Sequence, residues 1–550
     1  MGSIRKEIGL VKIKENVCCL LDGHAAEEGH FLKNDHLKVS VVDLIYRAYH
    51  RIGIEPPKVK KLLEMCPPED KCWDIYANGC TLGINQCEQT GTAARVATYK
   101  PKNISELSAF VAAIRPGFKS MYKTFERKEP FSYNVKAFDE LIQTKEMPNS
   151  FLFYQEQIMA ALNYAGIAMS ECYTAIKNIA KKRAEKVLAY KDTFINGFSL
   201  AIEKDENKPH EEAVELAQKL WQIIEDSASY SFNASHSYCV AIDSLYCAWL
   251  KAHHPHEFYE VAITLAEQKG DKDKMNAYKV EAEGYFNIKF PPLRYGQDNR
   301  SIKAEIENNV ILNSIASIKG YSVTVGKILF ECSQNNFNSF VDVLKWLGEH
   351  SIKAAKVQPL IKIDYFQQFG DINKLLDILD VWELLKQGNA KLIRKDKVES
   401  LKLKNILSRF CASTNKNGDD AASYKLEDNA LKILYEYEKF LEKYPLPPCS
   451  MRQRIKYSME VLGYADVTTN KEEDRRRLLI TDVTPLSSSD GKTWAYRIGT
   501  RSLGSGKTAR LTVKTDLYTK LPISPSDIIY AAELWKNPQG YWYLQNYVKE

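Results

Sequence analysis

Gly504-Ser505-Gly506-Lys507-Thr508 has the residue types of a phosphate cradle: glycines, a lysine and a hydroxyl. Such a cradle also needs a glycine five residues before the second of these, with a strand before it and a helix after. Arg501 stands there and a strand pattern follows, so the segment reads as a β-turn. His253, His254 and His256 could ligate a metal, but Pro255 interrupts them, and they read as a helix C-terminus carrying cations. Asp271-Lys272-Asp273 sits in a charged loop before a helix and reads as a cap region. Cys66, Cys72, Cys80 and Cys87 contain no C-x2-C pair, which argues against a zinc knuckle. Trp494, Tyr496, Trp542 and Tyr543 offer stacking surfaces, with Arg497, Arg501 and Lys507 nearby, a mixture suited to single-stranded nucleic acid. Alternation turns half of these aromatics inward.

The elements that must position these residues follow from composition and period. The 550 residues allow three or four domains at about 150 residues each. Hydrophobic residues at 45% and charged residues at 27% exclude a disordered chain. Glycine and proline total only 46, so breakers are few and much of the chain should be helical. A net charge of +6 permits nucleic-acid binding without arguing strongly for it. Twelve cysteines, single except for Cys18-Cys19, suit a reduced compartment. No apolar run reaches the ~18 residues of a membrane span, and no secretory h-region opens the chain. Lys6 stands where a myristoylation motif after Gly2 wants Ser or Thr. The expectation is a cytoplasmic protein.

Residues 1–95 mix short apolar runs with Pro56-Pro57 and Pro67-Pro68, suggesting a small α/β piece. From Pro101 to Lys289 the period is helical; Ile158, Leu162 and Ala165 share one face, as do Ala213, Ala217, Leu220 and Ile224. Phe290-Pro291-Pro292 reads as a boundary and Ser413 to Asp420 as a loop. Short helices are expected over 310–370 and an amphipathic helix over 429–444. Strands follow at 478–483, 493–498, 511–513, 528–535 and 541–548, the last two flanking the hairpin signal Asn537-Pro538-Gln539-Gly540. Five short strands suggest a small barrel with an OB-fold.

Phe153-Tyr154-Gln155-Glu156-Gln157-Ile158-Met159 resembles V-Y-Q-E-Q-x-M of the C-family replicative polymerases, the bacterial DNA polymerase III alpha subunits. Phe232-Asn233-Ala234-Ser235-His236 is similar to that family's F-N-K-S-H, and 248–258 to A-W-L-K-x-H-x-P-x-E-F. Thr81 to Glu88, Arg115-Pro116-Gly117, Ile315 to Gly320 and Glu460 to Tyr464 resemble further family segments, all in the family's order. The resemblance implies a multidomain α+β architecture. Its parts are the C-terminal part of an α/β palm (1–95), mostly helical fingers (96–290), a helix-hairpin-helix region (291–375), a helical linker region (376–473) and an OB-like β-barrel (474–550).

The resemblance also implies roles. Lys33 and Asp35 fall in a segment similar to K-F-D-F-L-G-L, making Asp35 a candidate catalytic and metal-ligating aspartate; otherwise it is a loop carboxylate or a cap. Lys177, Lys181, Lys182 and Arg183 fall near the family's R-R-A-M-G-K-K-K and would meet the incoming triphosphate; otherwise they form a solvated basic face. Tyr154 would stack near the nascent base pair, and His236 would cap a helix or touch phosphate. Arg115, Lys319, Gly320 and Ser322 would contact duplex DNA through backbone N–H groups and charge, with Ser322 replacing a glycine. Trp494, Arg497 and Lys507 would contact a template strand.

The PHP domain and the palm's P-D-x-D-x-D-F strand have no counterpart in the sequence. The chain is therefore expected to be the C-terminal portion of a split polymerase. It would complete a two-Mg2+ nucleotidyl-transfer site with a companion chain and lack polymerase activity alone. A split gene and its divergence lean towards a phage. Expected partners are primer-template DNA, dNTPs, the companion chain and a sliding clamp, with no membrane and no residues assignable to the clamp. The alternative is a non-catalytic, DNA-binding replisome scaffold derived from such a polymerase. An unrelated nuclease or ligase lacks support, because no ligase lysine motif or carboxylate cluster is present.

Overall fold

Helical periodicity governs most of the computed structural model, which describes residues 9–13, 16–31, 39–114, 121–143, 151–181, 184–228, 231–400, 406, 411–412, 423–426, 429–469, 471–488, 491–537 and 541–550. The chain divides into two units, one of Met1–Pro67, Gly83–Gln86 and Asn103–Cys247, the other of Pro68–Leu82, Cys87–Lys102 and Ala248–Glu550. No helix among the described residues is long and apolar enough to cross a membrane.

In the first unit, a hairpin of β1 (Leu10–Ile13) and β2 (Asn16–Cys19) precedes a helical assembly. Its helices include Gln155–Tyr164, Met169–Ala180, Ala184–Glu206 and His210–Ala228. The expected stripes are core: Ile158, Leu162, Ala165, Ala213, Ala217, Leu220 and Ile224 are all buried, with Phe138, Phe194, Phe198 and Trp221. A Cβ on Gly197 would lie 2.1 Å from the Ala165 carbonyl oxygen, so the long helix approaches the 165–166 turn as only glycine allows.

The second unit has a helical body and a barrel. Part of the 310–370 stretch departs from the helical expectation. There β4 (Val310–Leu312) pairs with β3 (Lys303–Glu305), because Ile311 and Leu312 are buried β-branched and apolar residues beside the Asn309 turn. Helices Val323–Ser333, Phe340–Glu349, Ala354–Lys362, Ile372–Leu384, Ala430–Lys443 and Met451–Leu462 share one core that includes Leu344, Phe366, Trp382 and Tyr437. Asn429 caps the 430–443 helix by accepting from Leu431 N at 2.9 Å. The expected helical region 376–473 also holds a small sheet, β5 (Leu392–Arg394), β6 (Cys411–Ala412) and β7 (Ser423–Leu426), in the order β5-β7-β6. The loop expected at 413–420 lies outside the described residues.

All five C-terminal strands form. They are β8 (Arg477–Ser487), β9 (Thr493–Ser502), β10 (Thr508–Lys514), β11 (Ile528–Lys536) and β12 (Trp542–Lys549). They close as β10-β12-β11-β8-β9, with β10 and β12 parallel and the other pairs antiparallel, the five-stranded arrangement of an OB-like barrel. Ile480, Ile498, Leu511, Val513, Ile529 and Leu544 fill it. The phosphate-cradle look-alike is a β-turn joining β9 to β10, with Gly506 at φ +71°. Asp271 caps Lys272–Phe286 by accepting from Lys274 N at 3.0 Å.

Candidate nucleotide and nucleic-acid interface

Two of the segments that carried the resemblance meet in the first unit. Glu156, in the first turn of Gln155–Tyr164, accepts from Asn233 Nδ2 and Ala234 N, both at 2.9 Å. Backbone pairing joins the same segments: Gln155 N donates to Phe232 O and Phe232 N to Phe153 O, both at 2.9 Å. Asn233 caps the Ala234–His253 helix, accepting from His236 N at 2.9 Å. The cap is therefore Asn233, while the His236 ring is exposed and edge-on to Phe232, with centroids 5.1 Å apart. Tyr154 is half-buried, and its hydroxyl is 3.0 Å from Ser108 Oγ. Burial raises its pKa, so the phenol stays neutral at any physiological pH. Ser237 Oγ also bonds the Ser108 carbonyl, at 2.7 Å.

The Met169–Ala180 helix separates two faces. Cys172, Ala175, Ile176 and Ile179 are buried. Tyr173, Lys177 and Lys181 are exposed at four-residue spacing, one ridge of the helix. Lys177 Nζ lies 4.5 Å from the centre of the Tyr173 ring. Neither lysine is in an ion pair among the described residues. Ile176, at a position where the resemblance has arginine, instead anchors the core. Lys182 and Arg183 lie outside the described residues, as do Arg115, Lys33 and Asp35.

Two further family-like segments meet in the second unit. Lys251 is fully buried and donates to Cys80 O at 2.9 Å, to Leu82 O at 2.7 Å and to Glu281. Leu82 N donates to Glu281 Oε2 at 3.2 Å, and Thr81 Oγ1 to Cys87 O at 2.6 Å. Buried charges persist when paired and hydrogen-bonded in this way. Of the histidines, His253 ends its helix, stacks on Trp249 at 5.0 Å and lies 3.1 Å from both Asp70 oxygens. Burial tends to raise the Asp70 pKa, but hydrogen bonds from Cys72 and His253 bring it below the usual value.

Around Lys319, a single 3-10 turn (Ile315–Ser317) leads through Gly320, at φ +86°, into Val323–Ser333. Ser322 is the N-cap: its hydroxyl accepts from Val325 N at 3.4 Å. A serine therefore serves where the resemblance has glycine, at φ −131° and without strain. Lys356 donates to the Gly320 carbonyl, and Lys319 is exposed.

On the barrel, Trp494 is exposed, Arg497 half-buried and Lys507 exposed on the β9–β10 turn. Tyr496 is engaged in a stack with Tyr518, centroids 3.8 Å apart. The larger aromatic group lies on β11 and β12: Trp535 faces Tyr543 across the pair at 5.4 Å, and Lys536 Nζ lies 5.6 Å from the Trp542 ring centre. Trp535 and Lys536 were missed in the sequence because only the strand register puts them beside Trp542 and Tyr543. Among the described residues no group of three or more His, Cys, Asp or Glu is placed to hold a metal ion. A Mg2+ pair thus has no cradle among them.

Residues 42–200 match the bacterial DNA polymerase III alpha subunit finger domain. The chain is 29% identical over 375 residues to the DNA polymerase III subunit alpha of Thermus aquaticus, covering 65% of this chain and 29% of that protein. It is 30% identical over 313 residues to that of Aquifex aeolicus, covering 55% and 26%, and 25% identical over 362 residues to that of Streptococcus pyogenes, covering 65% and 33%. The aligned part thus spans about a quarter to a third of these relatives' length. By these matches the chain resembles a C-terminal portion of the bacterial DNA polymerase III alpha subunit, with the finger-domain match at residues 42–200.

Proposed function

We propose that this chain is a DNA-directed DNA polymerase subunit acting in replication, supplying fingers and DNA-binding parts to an active site completed by a companion chain. The observation that carries it is the exposed ridge of Tyr173, Lys177 and Lys181, inside the finger-domain match. A dNTP carries about four negative charges, and lysines on one helix face supply the complementary field. The residues of this chain then bind and orient the triphosphate. The Glu156–Asn233 junction fixes the helix bearing His236 beside the Gln155–Tyr164 helix. The Lys319–Ser322 turn, read as a helix-hairpin-helix element, would meet duplex phosphate, and the barrel a template strand.

Two Mg2+ ions, when bound, neutralise charge on the transferring phosphate. Asp35 and carboxylates of the companion would hold them. The test is reconstitution: this chain with the product of the neighbouring gene should extend a primer, and the chain alone should not. Robust extension by the chain alone would refute the split. A second reading, a non-catalytic DNA-binding scaffold, is favoured by Ile176, buried where the resemblance has arginine. Asp35→Ala separates the two: a reconstituted polymerase loses extension and keeps DNA binding, whereas retained extension removes Asp35 from the site.

A further inference from the structure

The second unit contains a cavity of about 1060 Å3 that the polymerase reading does not use. One wall is the Phe290–Arg294 segment, where two consecutive prolines hold the chain extended. Another is the Met451–Leu462 helix with Tyr464 and Asp466; the rim is the Ser505–Thr508 turn of the barrel. Cationic side chains at Lys289, Arg294, Lys362, Arg454, Arg501 and Lys507 line it against three carboxylates, Glu283, Asp364 and Asp466.

The arginines are not equally neutralised. Arg454 is held by Asp364 and by Asp371, the latter at 2.6 Å. Arg294 is half-buried and, among the described residues, its side chain bonds only carbonyls, Leu293 O at 3.0 Å and Ile363 O at 3.3 Å. Burial, with the nearby Arg454, lowers its pKa, and the charge of Asp466 offsets this only in part. Arg501 bonds Asp466 through Nη2 at 3.0 Å, while its buried Nε has no partner among the described residues. Gly506 packs beside this guanidinium: a Cβ there would meet Thr468 Cγ2 at 3.0 Å and lie 3.6 Å from Arg501 Nη2. Lys507 reaches no carboxylate among the described residues. A buried cation with unused donors is costly unless an anion completes it. Guanidinium groups suit the oxygens of phosphate, and Phe290 and Tyr464 supply ring surface in the same cavity. The volume is at the top of the ~300–1,000 Å3 range for small-molecule sites.

We propose that this cavity binds an organic phosphate of nucleotide size, with Arg294, Arg501 and Lys507 as its anion contacts. The source is either a free nucleotide or the 5′-phosphorylated end of a strand. The site is independent of the fingers and of the polymerase reading.

The test is calorimetric titration of the full chain with ATP and with 5′-phosphorylated trithymidylate, beside adenosine and 5′-hydroxyl trithymidylate. At least one phosphorylated probe should bind saturably, and roughly tenfold or more tighter than its unphosphorylated form. R501Q and K507E should each weaken that binding by about tenfold. K507E lies on an exposed turn, so it reports on binding even where R501Q lowers stability. Binding by ATP alone assigns a free nucleotide, by the trinucleotide alone a strand end, and by both the shared phosphate chemistry. The proposal is overturned if neither phosphorylated probe binds, or if K507E binds as the parent does.

Discussion

The carboxylate of Glu156 accepts the backbone N–H of Ala234 at 2.9 Å, so a side chain from one helix completes the N-terminus of another 78 residues later. Substituting Glu156→Ala removes both this bond and that from Asn233 Nδ2, leaving orphan donors at a helix start. A loss of about 1 kcal/mol is expected, from the size of cap deletions. Thermal melts of the parent and variant measure it; an unchanged midpoint would show that the junction contributes nothing.

Removing the finger charges should act on substrate, not on folding. Lys177→Ala and Lys181→Ala change exposed positions, so circular dichroism should match the parent. In the reconstituted polymerase, the KM for dNTP should rise by roughly tenfold per lysine, the scale of one charge-assisted contact. A fall in kcat at constant KM would place both lysines elsewhere in the cycle.

Barrel contacts should divide between the two aromatic sets. Trp535→Ala and Trp542→Ala are expected to weaken single-stranded DNA binding by about 1–3 kcal/mol each, the range for one stacked base. Tyr496→Phe should have no effect, because that ring is already stacked on Tyr518. Fluorescence anisotropy with labelled oligothymidylate distinguishes these; equal losses at all three positions would contradict the division.

Lys251 is the most vulnerable buried charge described above. Lys251→Met leaves Glu281 without its ammonium partner and two carbonyls without a donor. The expected cost is about 3–5 kcal/mol, as for other broken buried pairs. Urea unfolding would reveal it, and adding Glu281→Gln should recover part of the loss.

Acid should release a local lock at Asp298. Hydrogen bonds from Arg300 and Lys303, over the opposing effect of burial, hold its pKa down at about 2, against an ordinary 3.8. A depressed carboxylate pKa adds stability that is complete above the ordinary value and lost as pH falls towards the folded one. Stability should therefore fall between about pH 4 and pH 2 in part through this group, and Asp298→Asn should flatten that part of the slope. An identical slope in the variant would rule the group out.

The sequence was most legible where short-range rules decide structure. Alternation between Trp494 and Ile498, with turn residues on either side, was enough to place β9, and Asn429 announced the helix it caps. The Ser505–Lys507 turn was recognisable because a missing glycine and a following strand excluded the cradle. Pairings across long separations were not legible. Nothing local to Glu156 indicates Asn233, and nothing local to Arg294 indicates that its partner is the backbone carbonyl of Ile363. Ile176 shows the same limit from the other side: one residue of helical phase decides that it is buried while Lys177 is exposed.

Closure of the β8–β12 barrel has a consequence for assembly. β10 pairs with β12 on one side and β9 on the other, but the pairs that close the ring are short: β10 and β12 meet at two residues, and β11 and β8 at three. Among the described residues, β8 beyond Ile480 and β12 beyond Tyr543 pair with one neighbour only, and these are the edges that an added partner strand would use.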